Sequence, residues 1–477
     1  MPRCWGKTKP LAAPGTALQP QGLWTVGRDL AGEGGGDEEE TKEKDLLHRP
    51  LLLIRITLSL LGIVPYSYNS DTHRYVLNWR SWAGLHTIGV FLWLCALLVS
   101  TSVGIVRVFV QSQFLQESGN HELELMGVVI IVGCLLNAWV EVINVIILGR
   151  SLCNFLNLWQ MFSARTSLDP TRRLRFASCV YAIFLYAFVF AVLVVAVLGP
   201  SDMLMGIVDL LTQVLFLVSP QWLAQETLAV QVVRVVVALV VCHLYMVYKG
   251  SLFLFVSICH MLHNVLEGWR NQLSHTLHVA WQDAGLDHLE QHSSCQVVQL
   301  DQLVQSHCQV VMMVRKTETI FSSTLQCFYA TQVVTLCLEL YLVAYRIGVG
   351  TGYYGHEAIW QAIIISQTCI VFFLVSLKAS RVCEEAERCV DVLRHGLPYT
   401  ASDKDKFHFG ELTVALTSSP ICISGGRFFT INRPFIITVV GAVLSYFVIV
   451  LQLKLPSASS VRQNLAALNT TTFNHTL

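Results

Sequence analysis

Charge is scarce in this sequence. Of its 477 residues only 13% are Asp, Glu, Lys or Arg, while 53% are apolar. An ordinary soluble domain carries about a quarter charged residues, so a chain with its whole surface in water is excluded. Net charge is missing too. Lys and Arg number 32 and Asp and Glu number 32, leaving no field of one sign to hold a polyanion, and no nucleic-acid partner is expected. Gly-x-Ser-x-Gly, His-Glu-x-x-His and a phosphate-binding Gly loop are all absent, which argues against an enzyme. No catalytic residue, cofactor or resident metal is expected. A secretory signal peptide is also lacking, because the first fifty residues mix Pro, Gly and charge and end near the acidic run Asp37 to Glu40.

Long apolar segments fill the rest. They recur at Ala83–Val106, Leu123–Leu148, Phe176–Leu198, Leu228–Val256, Ile320–Ala344, Ala358–Leu377 and Phe435–Leu453, each near the roughly twenty residues that a spanning helix requires. The expected fold is therefore an all-α membrane protein with seven transmembrane helices. Met203–Val218 is shorter and carries Asp209, and is placed as a loop helix at the outer surface.

Basic residues set the orientation, since cytoplasmic loops are enriched in Lys and Arg. Arg150, Arg165, Arg172 and Arg173 follow the second span, and eight more, from Lys378 to Arg433, follow the sixth, whereas Gly199–Thr227 and Gly348–Glu357 hold none. This predicts a cytoplasmic N-terminus and an extracellular C-terminus. Two sequons, at Asn469 and Asn474, lie in the C-terminal tail, where glycosylation requires an extracytoplasmic face. The fifteen cysteines are missing from the outer loops and that tail, as expected if their thiols stay reduced in the cytosol.

The expected organisation is a disordered cytoplasmic tail (1–50), a lead-in helix and linker (51–82), spans one to four (83–257), and a His-rich cytoplasmic anchor loop (258–319). Spans five and six (320–377), a cytoplasmic loop (378–434), the last span (435–453) and an extracellular tail (454–477) complete it. His260, His263, His275 and His278 sit at helical spacing in the anchor loop. Packing of amphipathic helices between subunits is the expectation there, ahead of Zn²⁺ binding.

Ionisable residues inside spans mark functional positions by default. Glu141, Arg234, His243 and Glu339 are such residues. At about 1.5 Å rise per residue, Arg234 and Glu339 lie at matching depths, which predicts a pair lining or supporting an outward-open ligand pocket, or a purely structural salt bridge. Tyr186, Tyr341, Tyr345, Trp360 and Gln361 add aromatic and amide groups in the outer halves, either as pocket lining or as interface anchors. In the last span, Gln452 is a lone amide among apolar residues, with Ile449 and Tyr446 at successive three-residue steps on one face. From spacing alone, Gln452 either bonds a neighbouring helix or faces water.

The last span carries a resemblance. Gly425-Gly426-Arg427-Phe428-Phe429 and then Ser445-Tyr446, five apolar residues and Gln452-Leu453 are similar to the signature of insect gustatory receptors, which has Thr for Ser445 and Phe for Leu453. Leu60-Leu61-Gly62-Ile63-Val64-Pro65 and the inverted topology resemble the same family. The resemblance implies a gustatory-type chemoreceptor in the plasma membrane of chemosensory neurons. It also implies a ligand-gated, non-selective cation channel, a homo- or hetero-tetramer with the seventh helix lining the pore, opened by a small-molecule tastant or carbon dioxide. It places Ile449 and Gln452 at the gate, and a neutral Gln ring predicts little discrimination among cations. The alternatives are a G-protein-coupled receptor and a membrane transporter for a small solute. The first is opposed by the orientation and by the absence of Asp-Arg-Tyr and Asn-Pro-x-x-Tyr, the second by the lack of an inverted repeat.

Overall fold

The structure is a computed structural model that describes residues 52–69, 72, 74–114, 121–166, 171–198, 202–223, 225, 227–283, 293–349, 355–396, 407, 410, 413–414 and 421–454. All fall in one compact unit, Asp45–Leu477. The tail 1–50, the loop histidines His288 and His292, and the sequons at Asn469 and Asn474 lie outside the described residues.

The described chain is almost wholly helical. In order it forms α1 (Leu52–Leu60), a hairpin of β1 (Tyr66–Asn69) and β2 (Arg74–Leu77), then α2 (Trp82–Phe114), α3 (His121–Thr166) and α4 (Thr171–Leu198). There follow α5 (Asp202–Phe216), the single turn α6 (Pro220–Leu223), α7 (Leu228–Asp283), α8 (Ser293–Val349) and α9 (Gly355–Gly396). A second hairpin, β3 (Ser424–Gly425) and β4 (Phe429–Thr430), leads into α10 (Arg433–Lys454). Both hairpins are antiparallel, with Tyr66 opposite Leu77 in the first and Ser424 opposite Thr430 in the second.

Among the described residues six helices are long and apolar enough to cross a membrane, and α4 adds the shorter apolar run Phe176–Ala191. The chain is a multi-pass helical membrane protein with six to seven apolar helices. Two helices far outrun the bilayer: α7 has 56 residues and α8 has 57, about 85 Å each at 1.5 Å per residue against a hydrocarbon core of about 30 Å. Much of the expected anchor loop is thus helix, the ends of α7 and α8 drawn out beyond the bundle. Trp269, Leu273 and Leu277 of α7, Leu303 of α8 and Cys389 and Leu393 of α9 form a small core of their own there. His307 stacks on Trp269 with ring centroids 5.2 Å apart, and among the described residues no three His, Cys, Asp or Glu side chains converge as a metal site.

The main core runs along α7, which packs against α9, α4, α8, α3, α5 and α1. The fifteen-residue α5 is only about 22 Å long, and it buries Val208, Leu211, Val214 and Leu215 in the bundle. Ser100 of α2 donates to the carbonyl of Leu215 at 2.5 Å. It is a packed element of the bundle.

Two expectations are corrected. Cys383 of α9 and Cys422 are joined as a disulfide, with Cα atoms 4.7 Å apart, where uniformly reduced thiols were expected. Cysteine placement along the sequence says nothing of which thiols meet, and the return strand from α9 lays Cys422 beside that helix. Arg234 is the second correction, treated with the site below.

Glu385, only 1% exposed, ties the extended ends together. Its Oε1 lies 2.6 Å from Arg270 Nη1 of α7, an ion contact rather than an aligned hydrogen bond, and its Oε2 accepts from Arg388 at 3.1 Å. Removing one member of a buried pair strands the other charge. Glu385→Ala is expected to cost about 2–3 kcal/mol, below the range for a wholly buried pair because Arg270 keeps part of its side chain in water. A lowered midpoint in thermal unfolding of the purified protein checks this, and an unchanged midpoint contradicts it.

Candidate functional site

Helical period puts residues of five helices around one cavity. On α7, Val241, Tyr245 and Tyr248 with Lys249 recur at three- and four-residue steps and so share a face. Gln332 and Thr335 of α8, Gln367 and Thr368 of α9, Phe188 of α4 and Cys134 of α3 complete the walls of a cavity of about 200 Å³. At about 30 Å³ per water that is room for six or seven waters, or one small organic molecule. The walls are chiefly apolar and aromatic with a few placed polar groups, which is the make-up of small-molecule sites.

Those polar groups are fixed. Gln332 donates from Nε2 to the carbonyl of Thr368 at 3.2 Å, and its Oε1 accepts from Lys249 Nζ at 3.2 Å. Gln367 Nε2 donates to Tyr245 OH, and Tyr245 packs on Phe188 with centroids 4.7 Å apart. Lys249 Nζ sits 4.3 Å over the Tyr248 ring and 5.5 Å from that of Phe328, within the reach of cation–π attraction.

Below the cavity an aromatic knot joins α8 to α10. Phe328 meets Tyr329 edge to face at 5.0 Å. Tyr329 in turn meets Phe435 of α10 at 5.1 Å and Phe429 of β4 at 5.4 Å, and the two phenylalanines stack at 4.7 Å. The hairpin before α10 is pinned to α8 by Gly426, whose N–H donates to the carbonyl and the hydroxyl of Ser322 at 3.1 and 2.9 Å. Gly426 has φ +61°, a left-handed backbone that favours glycine, and an added Cβ would meet the movable end of the Gln326 side chain. Asn432 caps α10, its Oδ1 accepting from Phe435 N–H at 3.0 Å.

α10 buries the smallest share of itself among the six long spans, 17% against 28–39% for the others. Ile436, Val443 and Val450 turn inward. The opposite face is exposed and carries Thr438, Gly441, Ser445, Ile449 and Gln452, flanked by the exposed Ile437, Leu444 and Val448. Tyr446 is half-buried on a flank, separate from that stripe.

Of the seven pocket residues proposed from sequence, the six whose side chains are described do not line this cavity. Arg234 of α7 donates from Nε and Nη2 to the two carboxylate oxygens of Asp209 on α5, at 2.7 and 2.8 Å; the partner expected at Glu339 is displaced because α5 lies against α7. Glu339 and Gln361 are buried together, Gln361 Nε2 donating to the Glu339 carbonyl at 3.2 Å. They sit six or seven residues along α8 and α9 from Gln332 and Gln367, about 10 Å from the cavity's level. Tyr341 and Tyr345 stack at 6.4 Å on α8, Tyr186 shares a 2.9 Å hydrogen bond with Thr57 of α1, and Trp360 lies on α9 with its side chain outside the described residues. Glu141 meets the Ser251 and Thr324 hydroxyls beside a smaller cavity. His243 packs edge to face on Trp93 at 5.1 Å.

The residue that sequence reasoning missed is Lys249. It stands inside the fourth apolar run as a charged residue, the same signal that selected Arg234 and Glu339.

The chain matches the family model described as 7tm Chemosensory receptor over residues 51–455. Its fold is similar to the insect olfactory receptor OR5 from Machilis hrabei, with a TM-score of 0.62 at 18% identity, covering 86% of this chain and 100% of that one. The same receptor in complex with eugenol matches with a TM-score of 0.61 at 17% identity, over 86% and 100% of the two chains. Among curated protein sequences none matches.

The bidentate Arg234–Asp209 pair fastens α5 to the bundle. Arg234→Asp and Asp209→Arg are each expected to reduce the amount of folded protein at the cell surface several-fold, and the double exchange to recover most of it, because a charge left alone in an apolar span is costly. Surface labelling of the three variants checks this; failure of the double exchange to recover either single loss contradicts a pairwise role.

Proposed function

The chain belongs to the 7tm chemosensory receptor family, and from that premise we propose that it is a ligand-gated, non-selective cation channel of gustatory type. It resides in the plasma membrane of chemosensory neurons. The N-terminus is cytoplasmic, the tail with Asn469 and Asn474 is extracellular and glycosylated, and four copies or close relatives surround a pore lined by α10. A small-molecule tastant opens it from the cavity between α3, α4, α7, α8 and α9.

The observation that carries this reading is the outward face of α10. A glycine, two hydroxyl residues and an amide, exposed on a helix of lipid-spanning length, are poorly matched to hydrocarbon and well matched to a water path or to sister helices. Ile449 gates by dewetting and Gln452 replaces part of an ion's hydration. Gating follows the contacts from the cavity through Phe328 and Tyr329 to Phe435 at the start of α10. The eugenol complex of the Machilis hrabei receptor supports a ligand of that size, small and largely apolar.

Channel function predicts a whole-cell current within milliseconds of applying an effective ligand, without GTP in the recording pipette. Gln452→Glu is expected to raise the permeability of Ca²⁺ relative to Na⁺ several-fold, since a ring of carboxylates favours divalent ions. A GTP-dependent response with a lag of seconds, or a relative permeability untouched by the substitution, contradicts the reading.

A further inference from the structure

Lys249 is 4% exposed and sits in a span among aromatic rings. Its only hydrogen bond among the described residues is the one to Gln332 Oε1, and no carboxylate of those residues lies within ion-pair distance of Nζ. The titratable groups around it are a thiol, Cys134, and two phenols, Tyr245 and Tyr248. Three other basic residues of the transmembrane and extended segments contrast with this. Arg234 has Asp209, Arg270 has Glu385 and Arg433 has Glu384.

An amine so placed has a purpose for a visiting anion. An ammonium has three donors and no acceptor. Gln332 takes one of them, and the amide is held with its oxygen toward Lys249 because its nitrogen is engaged by the Thr368 carbonyl. Two donors remain, and Lys249 lines the cavity. A buried charge without a counter-ion is unfavourable, and a carboxylate that pairs with it in a low-dielectric site forms a charge-assisted hydrogen bond roughly twice as strong as a neutral one. The outcome is the same from either starting state. A carboxylate joins an ammonium directly, or a carboxylic acid gives its proton to a neutral amine, and both routes end as the same ammonium–carboxylate pair.

We propose that Lys249 makes this pocket selective for small organic anions, monocarboxylates whose short aliphatic or aromatic body fills the apolar space between Phe188, Val241 and Tyr245. The proposal rests on the reading of the cavity as the ligand site, and it adds the chemical class that the site prefers. A neutral ligand of the same shape leaves Lys249 without a counter-ion and binds less tightly, so the selectivity comes as much from the unmet charge as from the contact made.

The test uses the full chain, purified and placed in lipid nanodiscs at pH 7, with matched acid and amide pairs as probes: benzoate and benzamide, phenylacetate and phenylacetamide, hexanoate and hexanamide. Titration calorimetry is expected to show at least one acid binding about tenfold or more tightly than its amide, about 1.4 kcal/mol. Lys249→Met should abolish that preference while leaving amide binding in place, and Lys249→Arg should retain it. Lys249→Gln serves in place of the Met variant if that protein does not fold. A panel in which no acid binds more tightly than its amide overturns the proposal, and so does a preference that survives Lys249→Met and Lys249→Gln. Thr335→Trp, which fills the cavity, separates the two claims. If it blocks amides and acids alike while acids hold no advantage in the unsubstituted chain, the pocket stands and the role of Lys249 falls. If acids still bind the filled cavity unchanged, the pocket itself falls, and the proposal with it.

Discussion

Hydrocarbon offers no hydrogen bonds, so each polar group carried into the bilayer has to find its partner within the protein. That constraint organises the bundle around α7. Along this one helix Arg234 takes Asp209 from α5, Lys249 takes Gln332 from α8, and Ser251 faces Glu141 of α3. Between α3 and α8, Asn137 donates to Thr331 and Asn144 to Thr324, fixing the two helices in register where apolar packing alone would let them slide. The cavity lies in the midst of these contacts, bounded by side chains that are already committed to one another. Its shape is therefore held before any ligand arrives.

The last helix is governed by a different balance. It is tethered firmly at its start, where Gly426 closes on Ser322, Asn432 caps the first turn and Phe429, Phe435 and Tyr329 interlock. Arg433 adds a two-point contact with Glu384 of α9, both at 2.6 Å. Beyond that point it buries little of itself in its own bundle. A helix held at one end and loosely packed along its length suits an element that shifts with its neighbours, and the knot ties its start to Phe328, whose ring also faces Lys249.

Much of this was legible from sequence, and the boundary is physical. Hydropathy reports how long an element dwells in lipid, so the spans from Ala83–Val106 to Phe435–Leu453 correspond to helices of the structure. It also reports depth, which is why Arg234 and Glu339 were matched. It does not report the direction in which a side chain points around the bundle. Asp209 took Arg234 because a fifteen-residue helix, too short to span, still packs inward. Tyr186, Tyr341, Tyr345 and Gln361 have suitable depth but face other neighbours. Lys249 was visible as a charge in an apolar run and was passed over, while Gln332 and Gln367 gain their meaning only from the helices that bring them beside it. The Cys383–Cys422 link has no signature in spacing at all.

The central claim is that the exposed stripe of α10 faces a water path that always reaches Gln452 and reaches Ile449 when ligand binds. It is tested most directly by introducing cysteine at positions 449 and 452 in turn and measuring how fast a charged, membrane-impermeant thiol reagent added from outside alters the current, against the unsubstituted chain as background. The account predicts modification at 452 with or without ligand and modification at 449 that speeds markedly when ligand is present. If neither position reacts above background in either condition, the stripe faces lipid or protein, and the account is contradicted.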